Sequence, residues 1–123
     1  MTRIALVEDN ADNRLLVRAI CEDLYELDEY ETGAAALSGI EANPPALVLL
    51  DISLPAMDGT EVLRRLRERE SLRALPVIAL TAHAMAGDRE KYLGLGFDAY
   101  VTKPIVDETV LLGEIERLLR ERS

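Results

Sequence analysis

The stretch that decides the fold is Ala46-Leu47-Val48-Leu49-Leu50-Asp51. Its five consecutive apolar residues lie between Pro44-Pro45 and a carboxylate, a pattern that predicts a strand buried on both faces. Open α/β sheets bind their ligands at the carboxyl ends of such strands. Asp51 therefore stands where a functional site is expected.

Three other apolar runs also end in polar side chains. They are Ile4–Val7 followed by Glu8 and Asp9, Val77–Leu80 followed by Thr81, and Ala99–Val101 followed by Thr102 and Lys103. Segments with the apolar spacing of helices alternate with these strands, in connections that suit only parallel βαβ crossovers. The pattern predicts an α/β fold, a three-layer sandwich of a parallel sheet with helices on both faces, and a single domain over residues 1–123.

The boundaries of these elements can also be predicted. Strands are expected over Arg3–Val7, Leu27–Thr32 (a short edge strand), Ala46–Leu50, a run beginning at Pro76, and Phe97–Thr102. Helices are expected over about Ala11–Tyr25, from Gly33 to before Asn43, through Val62–Leu66, in a short segment ending at Leu93, and over Asp107–Arg120. Asn10 is predicted to be the N-cap of the first helix. The first helix is predicted to bury Leu16, Val17, Ile20, Cys21 and Leu24, and the charged run Arg64–Glu70 is interpreted as a solvated face.

Composition excludes several classes of protein. A net charge of −9 over 123 residues argues against nucleic-acid binding, which needs a basic surface. No apolar run approaches the length of a membrane span, and the first strand begins too early to leave room for a signal peptide. The single cysteine, Cys21, excludes a disulfide framework, is predicted to be a buried hydrophobic residue, and favours a cytoplasmic location.

The polar groups at the strand ends suit phosphoryl chemistry. Glu8, Asp9 and Asp51 would repel one another in one cleft unless a cation compensated, and oxygen ligands alone favour Mg²⁺. Lys103 would add a positive charge and Thr81 a hydroxyl donor. A carboxylate, a metal, a lysine and a hydroxyl are the groups needed to transfer a phosphoryl group to an aspartate.

With these residues the chain resembles a response-regulator receiver domain. The matching motifs, in order and with the family's spacing, are Leu6-Val7-Glu8-Asp9-Asn10, Leu49-Leu50-Asp51-Ile52-Ser53-Leu54-Pro55-Ala56-Met57-Asp58-Gly59, Leu80-Thr81-Ala82 and Tyr100-Val101-Thr102-Lys103-Pro104. The resemblance is to the chemotaxis-type regulators, which include stand-alone regulators. It implies a flavodoxin-like (βα)5 fold with strand order 2-1-3-4-5. It also implies a protein of two-component signal transduction.

The resemblance further implies a role for each residue of the site. Asp51 would accept a phosphoryl group from a histidine kinase or a histidine phosphotransfer protein. Mg²⁺ would be held by Glu8, Asp9, Asp51 and the backbone carbonyl of Ser53. Thr81 and Lys103 would bind the phosphoryl oxygens, and a cis Lys103–Pro104 peptide bond would aim the lysine.

Three further residues are expected to control switching and lifetime. Tyr100 occupies the family's switch-aromatic position and would move inward with Thr81, unless it is a static half-buried strand residue. Ser53 and His83 flank the route of the attacking water and are expected to tune the lifetime of the aspartyl phosphate. His83 is alternatively an exposed loop histidine.

Other functions fit less well. A phosphatase with an aspartate nucleophile would carry a second aspartate at Ser53 and a cap domain. A calcium loop would need a glycine and a distal glutamate after Glu8, and a flavin or nucleotide carrier would need a Gly- or Ser/Thr-rich loop there. A degenerate receiver that serves only as a binding module would not need the complete set of polar residues.

The output is predicted to be a protein partner. The chain would assist its own phosphorylation and dephosphorylation without being an enzyme, and the downstream partner is unknown. Its surface is expected on the fourth helix, fifth strand and last helix, including Tyr100 and Val110. Leu15 and the loop after Asp9 would face the kinase.

Overall fold

A computed structural model describes residues 1–82 and 87–122 and has a central sheet of five parallel strands. The strands are β1 (Arg3–Val7), β2 (Glu26–Tyr30), β3 (Val48–Asp51), β4 (Val77–Thr81) and β5 (Ala99–Thr102). The helices are α1 (Ala11–Cys21), α2 (Gly33–Ala42), α3 (Gly59–Glu68), α4 (Asp88–Leu95) and α5 (Glu108–Arg122), with a 3-10 turn at Glu70–Leu72. The strand order is β2-β1-β3-β4-β5, so the flavodoxin-like prediction is confirmed and β2 is an edge strand.

Alternate residues of each central strand face opposite layers of helices. Val48 and Leu50 of β3 join the apolar cluster under α2, α3 and α4. Leu47 and Leu49 face the cluster under α1 and α5. Because both faces of β3 are covered, a continuous apolar run is required there, and all its residues are buried. Among the helices described, none is long and apolar enough to cross a membrane.

Side chains at the loop–helix junctions fix where three helices begin. Asn10, Thr32 and Asp58 are the N-caps of α1, α2 and α3, and each accepts a hydrogen bond from the backbone N–H three residues later. These caps satisfy amide groups that have no partner within the helix. The predicted cap at Asn10 is therefore confirmed.

The predicted length and buried face of α1 were partly wrong. The helix ends at Cys21 rather than Tyr25, because the chain turns there and the N–H groups of Leu24 and Tyr25 both donate to the Cys21 carbonyl. Leu24 therefore leaves the helical stripe and is 53% exposed, and Leu16 at the edge of the stripe is 39% exposed. Val17 and Cys21 are buried, as predicted.

Several other boundaries differ from prediction by one to three residues. Strand β2 occupies Glu26–Tyr30 rather than Leu27–Thr32, because Thr32 caps α2. Strand β5 begins at Ala99 rather than Phe97. Phe97 instead packs edge-on against Tyr92 in the turn after α4, so its apolar side chain serves the core without being in a strand.

The charged run Arg64–Glu70 is not a uniformly solvated face, because Arg67 is partly buried. Its guanidinium donates to the carbonyls of Leu72, Leu75 and Gly96. It also pairs at 3.0 Å with Asp98, whose carboxylate accepts the Val77 N–H at 2.9 Å. Arg67 therefore joins α3 to the end of α4 and to the starts of β4 and β5.

Replacement of this arginine should measurably destabilise the fold. We expect Arg67→Met to lower the free energy of unfolding by about 2 kcal/mol, because several carbonyls and one carboxylate lose a charged donor. Arg65→Met is the matched control, since Arg65 is exposed and, among the residues that the structure describes, forms an ion pair with Glu61 alone. It should change stability by less than about 0.5 kcal/mol. Urea unfolding measures both, and equal effects would contradict the role of Arg67.

Candidate functional site

The carboxyl ends of β1, β3, β4 and β5 bring the predicted polar residues to one edge of the sheet. Val7 of β1 is in register with Leu50 of β3, so Glu8 and Asp51 occupy the next position on neighbouring strands. Thr81 of β4 is in register with Thr102 of β5, and its carbonyl accepts the Lys103 N–H at 2.7 Å. Strand register therefore brings Glu8, Asp51 and Thr81 to one edge, and the loops after β1 and β5 carry Asp9 and Lys103 to the same place.

A buried ion-pair cluster occupies the centre of this edge. The Lys103 ammonium lies 2.9 Å from Glu8 Oε1 and 3.1 Å from Asp51 Oδ2. Both carboxylates are 1% exposed, and Thr81 beside them is fully buried. The Lys103–Pro104 peptide bond is cis, as the family resemblance implied. One lysine thus faces two carboxylates that are almost entirely removed from solvent.

The close approach of these charged groups shifts the pKa of Glu8 and of Lys103. Burial, together with the hydrogen bond and negative charge of Asp51, raises the pKa of Glu8 to about 7, although Lys103 opposes this shift. Burial lowers the pKa of Lys103, but its hydrogen bonds and attraction to Glu8 and Asp51 outweigh burial and hold that pKa above its ordinary value. One lysine therefore does not fully compensate for the two carboxylates.

The acidic residues fit a hard divalent cation. Glu8, Asp9 and Asp51 offer carboxylate oxygens that all lie within 4.8 Å of one another. Asp9 is exposed while the other two are buried, so the cluster opens to solvent on one side. All the donors are oxygen atoms, which suits Mg²⁺ rather than a thiophilic metal. The uncompensated negative charge of the site favours the same ion.

The loop after Asp51 is tightly folded against it. The Ser53 N–H donates to Asp51 Oδ1 at 3.0 Å, and the Gly59 N–H donates to the Ile52 carbonyl at 2.9 Å. Ala56 adopts a left-handed conformation with φ 65°. A Cβ atom at Gly59 would lie 2.8 Å from Ile52 Cα and would also clash with the Asp51 carbonyl oxygen. Only glycine permits this approach.

Tyr100 is half-buried and belongs to an aromatic cluster. Its ring stacks on that of Tyr92 with centroids 5.7 Å apart and planes 18° apart. Tyr92 in turn contacts Phe97 edge-on at 6.0 Å. Tyr92 had no predicted role, although the single aromatic residue of α4 was a signal. Through Tyr92, α4 contacts the predicted switch residue directly.

The structure also locates most of the other residues singled out from the sequence. Leu15 and Val110 are 58% and 52% exposed, as predicted. Cys21 is a free, buried thiol, and burial raises its pKa to about 11. His83 lies outside the described residues. Arg14, which had no predicted role, donates a hydrogen bond to the backbone carbonyl of Glu8 in the acidic loop. Its position one turn into the helix after that loop was the available signal.

Comparison with known proteins identifies similar domains in signalling proteins. A family model described as the response regulator receiver domain matches residues 4–116. The polar-differentiation response regulator DivK of Brucella ovis is 44% identical over 107 residues, which cover 83% of this chain and 84% of DivK. The sensor histidine kinase GacS of Pseudomonas protegens is 41% identical over 107 residues, 84% of this chain but only 12% of that kinase.

The fold is shared with solved receiver structures. The receiver domain of the sensor histidine kinase PA1611 from Pseudomonas aeruginosa PAO1 is 34% identical, with a TM-score of 0.88, and the match covers 97% of this chain and 98% of that one. That structure has a magnesium ion coordinated in its active site cleft. A signal receiver domain of a histidine kinase from Syntrophus aciditrophicus is 30% identical with a TM-score of 0.88, and covers 98% and 92% of the two chains.

Proposed function

Because the chain belongs to the response regulator receiver domain family of two-component signalling proteins, we propose that Asp51 accepts a phosphoryl group from a histidine kinase or a histidine phosphotransfer protein. The observation that carries this proposal is the ammonium of Lys103, held between the buried carboxylates of Asp51 and Glu8. A salt bridge needs only one acid and one base. The additional acid and the neighbouring Thr81 suit phosphoryl transfer.

The proposed reaction is a phosphoryl transfer between side chains. A carboxylate oxygen of Asp51 attacks the phosphorus of a phosphohistidine, a P–O bond forms, and the P–N bond breaks. The imidazole nitrogen keeps the electron pair of the broken bond and takes a proton from solvent. Lys103 and the Thr81 hydroxyl bind the transferred oxygens, and Lys103 loses part of its attraction to Asp51 as it does so.

Mg²⁺ is the proposed cofactor. Glu8, Asp9, Asp51 and the backbone carbonyl of Ser53 would hold the ion, and the magnesium in the PA1611 receiver domain supports this assignment. When bound, Mg²⁺ offsets the charge on the phosphoryl oxygens. The hydrogen bond that the Ser53 N–H donates to Asp51 orients this carboxylate for metal binding and phosphoryl transfer.

Hydrolysis reverses the modification. A water molecule attacks the phosphorus of the aspartyl phosphate, which releases inorganic phosphate and restores the Asp51 carboxylate. We propose that the chain assists both steps on itself, as a signalling protein without a separate substrate, and that Ser53 and His83 tune the lifetime of the phosphorylated form. Ser53 follows Asp51 by two residues, which supports its part in this assignment.

The proposed output surface is formed by α4, β5 and α5. Tyr100 and Val110 both line an open cavity of about 480 Å³ beside the β5–α5 loop, where Val106 is 93% exposed. The stack of Tyr100 on Tyr92 supports coupling between β5 and α4. Displacement of Thr81 toward the phosphoryl group would bias this cluster between two arrangements, and a protein partner that prefers one arrangement would read the state.

The remaining assignments are also proposals. Residues 1–123 would act as one receiver domain, and the family match over residues 4–116 supports this. The net charge of −9 supports a protein partner rather than nucleic acid. The single cysteine in the sequence, which rules out a disulfide framework within the chain, supports a cytoplasmic location.

Phosphorylation with a small donor tests the proposed reaction. Incubation with acetyl phosphate and Mg²⁺ should add one phosphoryl group to the protein, seen by intact-mass spectrometry. The adduct should be retained in acid and lost in base or hydroxylamine, as an acyl phosphate is. EDTA should suppress its formation.

Two variants locate the modified residue. Asp51→Asn should abolish the adduct, because the amide is not a nucleophile, whereas Asp12→Asn should retain it, because Asp12 is exposed on α1. The proposed function would be rejected if the parent protein formed no adduct, or if the adduct persisted in Asp51→Asn.

A further inference from the structure

Arg14 is bound to the loop that carries two of the proposed metal ligands. It lies in the first turns of α1, and its side chain is 14% exposed. Its Nη1 donates to the backbone carbonyl of Glu8 at 2.9 Å, and its Nη2 pairs with Glu31 at 3.1 Å. Nε lies 3.8 Å from Glu29 at the side of β2. The guanidinium thus spans α1, β2 and the β1–α1 loop.

The carbonyl that Arg14 binds belongs to the peptide unit between Glu8 and Asp9. On the other side of Glu8, the N–H donates to the Tyr30 carbonyl at 3.0 Å. The backbone at Glu8 is therefore fixed by hydrogen bonds at both its N–H and its carbonyl. Rotation of the Glu8–Asp9 peptide plane would redirect the two acidic side chains relative to each other.

We propose that Arg14 is a positioning residue for the Mg²⁺ site. It holds the Glu8–Asp9 peptide plane so that the buried carboxylate of Glu8 and the exposed carboxylate of Asp9 converge on the same ion. This inference rests on the proposed function, because it needs Mg²⁺ at the acidic cluster. It adds a residue that does not contact the metal but sets the geometry of two ligands.

The direction of the change in Mg²⁺ affinity distinguishes a positioning role of Arg14 from a purely electrostatic effect of its charge. Arg14 is a cation close to the proposed site, so as a charge alone it repels Mg²⁺, and its removal should tighten binding. As a positioning residue it orients the ligands, and its removal should weaken binding. The two roles therefore predict opposite changes in the dissociation constant.

Arg18 provides a matched control. It lies one turn further along α1 and pairs with Glu29 through Nε and Nη2, both at 2.8 Å. In the part of the chain that the structure describes, Arg18 has no hydrogen bond to the β1–α1 loop. Arg14→Met and Arg18→Met each remove one positive charge and one partner of Glu29. Arg14→Met also removes the hydrogen bond to the Glu8 carbonyl and the ion pair with the exposed Glu31.

Isothermal titration calorimetry with Mg²⁺ alone is the test, with circular dichroism as the check on folding. We expect Arg14→Met to weaken Mg²⁺ binding by about tenfold, and Arg18→Met to leave it unchanged or slightly tighter. If Arg14→Met does not fold, Arg14→Lys replaces it and Arg18→Lys becomes its control, so that both variants keep the charge. A single flexible nitrogen does not reproduce the planar, two-nitrogen contact of Arg14 with the Glu8 carbonyl and Glu31, so weaker binding is again expected for Arg14→Lys alone.

Each outcome has a definite consequence. If the parent protein binds Mg²⁺ but the Arg14 variant binds it at least as tightly as the Arg18 variant with the same replacement, the positioning role is rejected and the proposed function stands. If the parent protein does not bind Mg²⁺, the proposed metal site is rejected, and the role of Arg14 with it.

Discussion

Lys103→Met is expected to lower the free energy of unfolding of the metal-free protein by about 3 kcal/mol, because removal of one partner leaves buried charges without compensation. The ammonium lies 2.9 Å from Glu8 and 3.1 Å from Asp51, and both carboxylates are 1% exposed. Protonation of Glu8 limits the loss, since its pKa is already raised to about 7 in the parent protein by burial and by Asp51. Urea unfolding in EDTA measures the difference.

Added Mg²⁺ should partly reverse this loss. The carboxylates of the variant lack their cation, so they should bind Mg²⁺ more tightly, and saturating Mg²⁺ should stabilise Lys103→Met more than the parent protein. Lys91→Met is the control, because Lys91 is exposed and lies 5.3 Å from the Tyr92 ring centroid, a contact that contributes about 1 kcal/mol or less. Equal stability of parent and Lys103→Met in EDTA would show that the buried ion pairs contribute nothing.

Gly59→Ala is expected to destabilise the protein by about 3 kcal/mol, at the upper end for an added methyl group, because the atoms it meets are backbone. The new Cβ would lie 2.8 Å from Ile52 Cα and would overlap the Asp51 carbonyl oxygen. Relief requires the β3–α3 loop to move away from α3. The proposed phosphorylation of Asp51 by acetyl phosphate should slow in the same variant, since the Ser53 N–H of that loop holds the carboxylate.

Gly113→Ala is the matched control for this substitution. Gly113 lies inside α5, and nothing would come within 4 Å of a Cβ atom there. The same chemical change should therefore stabilise the protein by about 1 kcal/mol, through helix propensity alone. Thermal unfolding compares the two variants, and a Gly59→Ala protein as stable as Gly113→Ala would contradict the close approach seen at Asp51.

Prediction from sequence succeeded where local pattern carries the information. The apolar run before Asp51 marks a buried central strand because both of its faces must be covered, and polar residues mark where each strand ends. Asn10 marks the start of α1 because an N-cap acts within one helical turn. Prediction was less accurate at the end of α1, where the turn at Cys21 takes Leu24 out of the helical stripe.

The local pattern by itself determined the alternation of strands and helices and the residues at the strand ends; the strand order came from the family resemblance. Only the tertiary structure decided which side chains meet. Lys103 and Glu8 are 95 residues apart in the sequence, yet they form one ion pair across the β1–β3–β4–β5 edge. Arg14, Arg67 and Tyr92 acquired their contacts in the same way. The physical reason is that a residue's type limits which bonds it can make, while strand register and helix packing, set by the whole chain, decide which partner is within reach.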